Sequence, residues 1–374
     1  MQSTIDQIRQ ALLDSPLGGI PAANQLLASA LDLLIGPLTA PGSAFYVPWL
    51  LAGIAVAFLV FVLETRGTGG FGTRAFFRYC FPRSLYAHPS TRTDIKLIVV
   101  NKLLSPFINV TWRLNAAFFT GALLSGMVAL FGAPLGLFEW NFTALLVVTL
   151  LAALAEDFGF YLCHLAHHRI PALWAFHKVH HSAEVLTPLT ATRNHPVEFF
   201  LIAPSMALTG ALFMAPILFL FDTAPTLIEL FGVNLVLVVT QGIGGKLFHS
   251  HIWLTWPAGL QRFLLCPAQH QIHHSSAPRH HDKNMAGIFA FWDWIFGTLY
   301  VAPPQREEFS YGVYGDAKQA HPGLIAAYLV PLWEAIPNHK ALRRRLSRGA
   351  APPIAAMGRF AGQGAAAPKP PGAA

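Results

Sequence analysis

The sequence predicts an all-α integral membrane protein with about four to five transmembrane helices and a cytoplasmic, histidine-rich helical cap that holds a dinuclear metal site. Hydrophobic residues make up 54% of the 374 residues and charged residues only 11%, whereas soluble domains carry about a quarter charged residues. Several apolar segments approach the ~20 residues that cross a bilayer as a helix. Fourteen of the 17 histidines lie between residues 164 and 281.

The charge and the cysteine content argue against other classes. The formal net charge is +7, but the basic residues form no stripe with interleaved aromatic side chains, so we expect no nucleic-acid partner. The three cysteines, Cys80, Cys163 and Cys266, are far apart and lack CxxC spacing. Neither a disulfide framework nor a thiolate zinc site is therefore predicted, and a metal would be held by nitrogen ligands.

Five apolar segments are candidate spans, arranged as one helix followed by two hairpins. The first has the sequence FYVPWLLAGIAVAFLVFVL, and Tyr46 and Trp49 near its start suit an aromatic belt at the membrane surface. The region 66–113 is rich in basic residues and is interrupted by Lys96 and Lys102, which predicts an interfacial helix. The candidate spans are 45–63, 116–132, 143–162, 199–221 and 226–244.

The positions of Lys and Arg set the predicted orientation, because these residues concentrate on the cytoplasmic side of membrane spans. With residue 1 outside, the outer segments are 1–44, 133–142 and 222–225, and they contain one basic residue, Arg9. The other 24 of the 25 basic residues then lie inside, together with every histidine cluster. If the first apolar segment is re-entrant instead, residues 1–44 form a helix on the inner side.

The chain divides into four predicted parts. Residues 1–44 form an amphipathic or interfacial segment, and 45–300 form the membrane-embedded domain. Residues 301–348 are a cytoplasmic extension. The tail 349–374 consists mostly of Ala, Pro and Gly, so we expect it to be disordered.

The histidines fall into clusters with regular spacing, HxxxH at His164 and His168, and HxxHH at 177–181 and again at 270–274. Imidazole is the commonest metal ligand because a pKa near ~6.5 leaves a free nitrogen lone pair at neutral pH. Helix residues three or four apart share a face, so each cluster directs at least two rings toward one point. Three clusters supply roughly six to nine nitrogens, more than one ion binds, which favours a dinuclear site.

Taken in order, four motifs resemble the fatty acid hydroxylase and sterol desaturase superfamily of integral-membrane, non-haem di-iron oxygenases. They are DFGFYLCHLAHHRIPALWAFHKVHHS, TRNHPVE, LFHSHI and QHQIHHSSAPRHHDKNMAG. The resemblance covers just over half the chain and implies that 45–300 is the catalytic domain. Leu165 stands where the family often has Arg, and His167, His251 and His281 are additional imidazoles. On an ideal helix His167 points about 100° away from its neighbour, so we expect it not to bind the same ion.

The resemblance assigns roles only at matching positions. His195 and His280 match positions that act either as ligands or as supporting groups. Catalytic roles, in which polar groups orient ligand rings through their second nitrogens, are implied for Asp157, Glu198, Asp282 and Asn284. Iron ligation is implied for His164, His168, His177, His180, His181, His249, His270, His273 and His274.

The resemblance implies two non-haem iron ions as cofactor and O2 as cosubstrate, because an unactivated C–H bond offers no group for acid–base or nucleophilic attack. The implied reaction is hydroxylation or desaturation of a sterol, a fatty acyl chain or another membrane lipid. The chain has no CxxCH motif, and its one GxGxxG match, GTGGFG at 67–72, follows a predicted membrane span rather than a strand, so a separate ferredoxin, cytochrome or reductase is the expected electron donor. We expect a multi-pass protein of a bacterial inner membrane with its site on the cytoplasmic face.

Two other classes stay open from the residues alone. A membrane zinc-dependent hydrolase uses imidazole ligands equally well, but HExxH is absent and HKVHH contains no glutamate base. A metal-binding transport protein would more often place ionisable residues at mid-span, whereas these histidines lie at the ends of spans. The oxygenase is therefore favoured over both.

Overall fold

The computed structural model describes residues 35–36, 38–39, 43, 46–66, 70–225, 227–230, 233–242, 244–314 and 323–337. These ranges are mostly helical, and the strands within them, β1 (Glu229–Leu230) and β2 (Val233–Asn234), form one antiparallel pair. The α-helices within them are α1 (Val47–Thr65), α2 (Thr73–Cys80), α3 (Arg83–Tyr86), α4 (Pro89–Phe131), α5 (Phe142–Arg169), α6 (Pro171–His181), α7 (Pro196–Phe221), α8 (Leu235–Gly242), α9 (Pro267–His273), α10 (Phe291–Phe296) and α11 (Leu324–Glu334).

Two of the predicted terminal parts lie largely outside the described residues. Of the segment 1–44, only residues 35–36, 38–39 and 43 are described, and the tail 349–374 lies outside altogether. The predicted extension is described over 301–314 and 323–337, where it includes α11. The predictions for the two termini therefore stay predictions.

Three helices, α1, α5 and α7, are long and apolar enough to cross a membrane. They correspond to three of the five predicted spans, 45–63, 143–162 and 199–221. The 19 residues of α1 extend about 28 Å at 1.5 Å per residue, close to the ~30 Å hydrocarbon core of a bilayer. Membrane association is thus supported by length and composition, while the total number of spans and their sidedness stay predictions.

Helix α4 corrects the prediction of an interfacial helix followed by a separate span at 116–132. It is one helix of 43 residues, about 65 Å long, whose C-terminal part, Asn115–Phe131, is apolar. Its N-terminal part buries Asp94 and Leu97, which lie three residues apart on one helix face. Lys96 is exposed, so this charge interrupts the hydropathy without interrupting the helix.

The fifth predicted span, 226–244, is also corrected, since its described residues do not form one helix. The Leu135 N–H donates to the Phe219 carbonyl (2.8 Å), so the ends of α4 and α7 lie together, far from the histidines. From there the chain returns through the β1–β2 pair and α8, which has eight residues and is about 12 Å long. Asn234 caps α8 by accepting the Val236 N–H (2.9 Å) and so ends the extended segment.

The antiparallel helices α5 and α7 pack closely where glycine meets small side chains. A Cβ placed on Gly159 would lie 2.3 Å from Thr209 Oγ1 and 2.6 Å from the Ser205 carbonyl oxygen. The Ser205 hydroxyl donates to the Gly159 carbonyl (2.8 Å). In apolar surroundings such close approach replaces a hydrophobic driving force, and it fixes where the histidines of α5 lie relative to the start of α7.

The cap consists of the start of α4, the helices α6, α9, α10 and α11, and the segments between them. Helix α11 packs against α4 and α6, where Ala327 contacts Leu97 and Val179. The Tyr328 hydroxyl donates to Asn101 Oδ1 (2.8 Å). These contacts place the C-terminal end of α6, which carries three histidines, inside protein rather than at the surface.

Candidate metal centre

Five histidine side chains converge where α5 enters the cap. They are His164 and His168 of α5, His177 and His181 of α6, and His273 of α9, and one ligand-capable nitrogen of each lies within 4.8 Å of the others. The Nε2 atom of His177 is 3.0 Å from that of His164 and 3.2 Å from that of His181. Nitrogens that bind one ion at about 2.0–2.1 Å, roughly at right angles, lie about 3 Å apart. The spacing suits ligands of a single ion.

Four further histidines form a second group, consisting of His180, His249, His270 and His274. The Nε2 atom of His249 lies 2.9 Å from that of His270, 3.1 Å from that of His274 and 3.2 Å from that of His180. His249 comes from the segment that follows α8, and the others come from α6, α9 and the residue that directly follows α9. We call these two sets the five-histidine group and the four-histidine group.

The two groups are neighbours because α6 and the α9 region each contribute to both. In α6, His177 and His181 share one face and join the five-histidine group, while His180 faces the other group. The ring centroids of His181 and His274, one from each group, are 4.6 Å apart. Each HxxHH motif therefore divides its imidazoles between two adjacent positions, which is the arrangement that a dinuclear site requires.

Burial keeps these rings neutral and therefore able to bind a cation. Desolvation lowers the pKa of His273 to about 4 and that of His180 to about 3. The Nε2 atoms of His168 and His273 are buried and have no hydrogen-bond partner in the described part of the chain. Buried polar atoms are almost always paired, so these lone pairs fit a metal ion. Desolvation also lowers the pKa values of His177, His181, His249, His270 and His274 well below the usual range.

A carboxylate fixes the orientation of one ring. Glu198 Oε2 accepts a hydrogen bond from His177 Nδ1 (2.6 Å), and Oε1 accepts the His195 N–H (2.8 Å). An ionised Glu198 only accepts, and in that state Nδ1 of His177 carries the proton while Nε2 presents its lone pair to the group. Of the four predicted catalytic residues, Glu198 is the one that orients a ligand ring at hydrogen-bond distance.

Backbone carbonyls orient three more rings in the same way. The Nδ1 atom of His164 donates to the Met285 carbonyl (2.6 Å), that of His273 to the Lys283 carbonyl (2.9 Å), and that of His180 to the Arg193 carbonyl (3.3 Å). A carbonyl also only accepts, so Nε2 is again the free nitrogen. With His177, three rings of the five-histidine group and one ring of the four-histidine group are therefore oriented by the protein itself.

Three of the predicted catalytic residues act elsewhere or at longer range. Asp157 accepts the N–H groups of Ile288 and Phe289 (both 2.9 Å), and within the described part of the chain it forms no hydrogen bond with a ligand ring. Asn284 has a φ of 57°, which Asn tolerates, and its side chain donates to the Gln269 carbonyl (3.0 Å).

Asp282 forms an ion pair with Arg169 (2.9 Å), and its other oxygen is 3.8 Å from Nδ1 of His168. That separation is too long for a hydrogen bond. We therefore correct the ring-orienting role expected of Asp157 and Asn284, and Asp282 stays a candidate.

The structure brings His195 and His280 to neither group. Nδ1 of His195 accepts the Val197 N–H at the start of α7 (3.2 Å), and Nε2 bonds to the Tyr328 carbonyl (3.1 Å). Nε2 of His280 lies 3.3 Å from Glu307. Both histidines therefore stabilise the cap from outside the two groups. The additional imidazoles His167, His251 and His281 also lie outside both groups.

A buried ion pair that the sequence did not reveal supports the four-histidine group. Arg193 and Asp94 are both 0% exposed and lie 2.7 Å apart, and Arg193 also donates to the Val179 carbonyl and the Ser182 hydroxyl. The carbonyl of the same arginine accepts from His180. The partners lie 99 residues apart in sequence, so no local pattern could pair them.

Comparison with known proteins gives a family match that coincides with this site. Residues 149–298 match the family model described as "Fatty acid hydroxylase", and this range contains all nine histidines of the two groups. No solved structure matches the chain.

Several curated relatives carry names of lipid hydroxylases. The chain is 31% identical to alkylglycerol monooxygenase of Danio rerio over 44% of this chain and 32% of that protein. It is 26% identical to ornithine lipid hydroxylase OlsE of Rhizobium tropici over 52% of each, and 30% identical to human cholesterol 25-hydroxylase over 41% of this chain and 51% of that protein. The matched region thus spans between about a third and half of these relatives.

Proposed function

This chain carries a fatty acid hydroxylase domain at residues 149–298, and from that premise we propose that it is a membrane-bound di-iron oxygenase that hydroxylates a C–H bond of a lipid. The observation that supports the proposal most directly is the convergence of nine buried or half-buried histidines into two adjacent groups. The named relatives are hydroxylases or monooxygenases, which favours hydroxylation over desaturation.

The chemistry explains why such a site belongs beside a membrane. Two bound iron ions would supply the activation of O2 that an unactivated C–H bond requires, since protein side chains alone offer no such oxidant. The protein's own contribution is to hold neutral imidazoles in fixed orientations and to keep the reacting atoms away from water. Burial of His177, His180 and His181 at 5–7% exposure serves the second purpose.

The proposal also covers the electron donor and the side of the membrane on which the site lies. The described residues offer no second redox site, so we propose a separate ferredoxin, cytochrome or reductase as donor. The excess of Lys and Arg on one side of the candidate spans supports a cytoplasmic site. Two points stay predictions. They are the placement in a bacterial inner membrane and the identity of the lipid, which is a sterol, an acyl chain or another membrane lipid.

The experiment is a comparison of total lipids, by mass spectrometry, from cells that express the intact protein or His180→Ala. His180 belongs to the four-histidine group and lies in α6, outside the three candidate spans, so the variant should still insert. We expect a lipid heavier by one oxygen atom in the first cells and its loss in the second.

A matched control separates the site from other histidines. His281 is exposed and lies outside both groups, so His281→Ala should give the same lipids as the intact protein. A lipid lighter by two hydrogens would make the enzyme a desaturase instead. No change in any lipid, with zinc in the purified protein, would favour the zinc-dependent hydrolase over the oxygenase.

A further inference from the structure

A buried carboxylate stands behind one of the oriented histidines, separated from it by a single peptide group. Asp293 of α10 is 0% exposed. Its Oδ1 accepts the Met285 N–H (2.7 Å) and the Thr298 hydroxyl (2.6 Å), and its Oδ2 accepts the Ala286 N–H (3.0 Å). Burial raises the pKa of the Asp293 carboxyl, and these three uncharged donors oppose that shift.

The Ala286 N–H and the Met285 carbonyl are the two ends of one peptide group. In a trans peptide they point in opposite directions, and the structure contains no cis peptide among the described residues. Asp293 binds the N–H end, and Nδ1 of His164 donates to the carbonyl end at 2.6 Å. The chain of hydrogen bonds therefore runs from the carboxylate through the peptide to the imidazole.

Two other rings provide an internal comparison. His273 donates to the Lys283 carbonyl, and the N–H of that peptide, from Asn284, donates to the Thr298 carbonyl (2.9 Å). His180 donates to the Arg193 carbonyl, and the N–H at the other end of that peptide, from Asn194, donates to the Thr192 carbonyl (2.9 Å). Within the described residues, only the peptide behind His164 ends on a carboxylate.

The bond from His164 is the shortest of these three bonds to a backbone carbonyl. The bonds from His273 and His180 to neutral peptides measure 2.9 and 3.3 Å. The bond from His164 measures 2.6 Å, equal to the direct bond between His177 and Glu198. Hydrogen bonds in a chain polarise one another, so a carboxyl group at the N–H end of the peptide strengthens the bond at its carbonyl end.

We propose that Asp293 is a positioning residue of the five-histidine group, which orients His164 and raises the basicity of its Nε2 through the Met285–Ala286 peptide. Glu198 would do the same for His177 by direct contact, so two carboxyl groups support the five-histidine group from behind. This inference rests on the proposed function in one respect only, namely that the two groups bind metal ions.

The test measures Co²⁺ binding to the purified full-length chain and to two variants. Asp293→Asn keeps the size of the side chain but removes its charge, and its amide group would face N–H donors. We expect the intact chain and Asp293→Asn each to bind two ions. The affinity for one ion should be about 10–100-fold lower in Asp293→Asn, as for other groups that orient ligands. The affinity for the other ion should stay unchanged.

Asp157→Asn is the matched control. Asp157 also binds two N–H groups of the same loop, those of Ile288 and Phe289. The Phe289 N–H shares its peptide group with the Ile288 carbonyl. Among the described residues this carbonyl accepts the Leu265 N–H and no histidine. We expect this variant to lower the thermal unfolding midpoint and to keep both affinities within threefold of the intact chain.

Two results would overturn the inference. The first is unchanged binding of both ions by Asp293→Asn, and the second is an equal loss of affinity in Asp157→Asn, which would reduce Asp293 to a loop support. If Asp293→Asn cannot be purified, Asp293→Ser must show the same selective loss. Failure of the proposed function is distinguishable, because it appears as absent lipid oxidation by an intact chain that still binds two ions.

Discussion

Each histidine in the two groups has two ring nitrogens, and the partner of the outer nitrogen decides which way the inner nitrogen faces. HxxxH and HxxHH spacing, which places rings on one helix face, predicted eight of the nine histidines that converge, and the family resemblance added His249. The sequence could not predict their partners. The Met285 carbonyl lies 121 residues from His164, and a backbone carbonyl leaves no mark in an amino-acid sequence.

Removal of the charge behind His177 tests the role of Glu198. Glu198→Gln is expected to weaken binding of one metal ion about 10–100-fold, because the amide binds the imidazole less strongly and permits the other tautomer. The measurement is the ratio of metal to protein across a titration. Glu308→Gln, which changes an exposed glutamate, serves as control, and wild-type affinity in Glu198→Gln would refute the role.

The assignment of His195 as a structural residue leads to a different expectation. His195→Ala should keep both bound ions but lower the free energy of unfolding by about 1 kcal/mol, because it removes the cap at the start of α7. Chemical denaturation and metal analysis of the same preparation measure the two effects. Loss of one ion from this variant would return His195 to the ligand set.

At the scale of elements, the sequence identified α1, α5 and α7 from hydropathy but misjudged α4 and the segment 226–244. The buried face of α4 carries Asp94, whose partner Arg193 is distant in sequence. A hydropathy window counts Asp94 as an unfavourable charge, although in the folded protein it forms an ion pair. Within 226–244, the segment before α8 forms a hydrogen bond with α5, in which the Thr149 hydroxyl accepts the Ile228 N–H (2.9 Å). Irregular backbone within a membrane requires such partners, because its N–H and C=O groups find no water there.

The contact between α5 and α7 gives the prediction at this scale. Gly159→Ala should lower the thermal unfolding midpoint in detergent and separate the two helices, because the new Cβ would lie 2.3 Å from Thr209 Oγ1. Gly126 of α4 has no atom within 4 Å of such a Cβ. Gly126→Ala should therefore leave the midpoint unchanged or raise it, since alanine favours a helix by about 0.5–1 kcal/mol. Equal midpoints in the two variants would contradict this packing.

For the whole molecule, the burial of so many imidazoles ties stability to metal and to pH. In the unfolded chain each ring takes up a proton near pH ~6.5, whereas in the folded, metal-free protein the pKa of His273 is about 4 and that of His180 about 3. The unfolded state therefore binds more protons below neutrality, and stability falls as the pH falls from about 6.5 toward 4.

The expected result is a metal-depleted protein that loses stability between pH 7.5 and pH 5, by about 2 kcal/mol for a single such ring. The metal-loaded protein should lose much less over this range, because bound ions keep the rings deprotonated. Thermal unfolding at several pH values, with and without Co²⁺, measures this difference. Parallel curves for the two forms would contradict the convergence of neutral imidazoles on metal ions.

The source of the added oxygen tests the central claim most directly. Cells that express the intact protein or His180→Ala would be grown under ¹⁸O₂, and their lipids compared by mass spectrometry. We expect one lipid class to gain a single ¹⁸O atom only with the intact protein. Oxygen taken from water, or no labelled lipid that depends on His180, would contradict an O2-dependent hydroxylase.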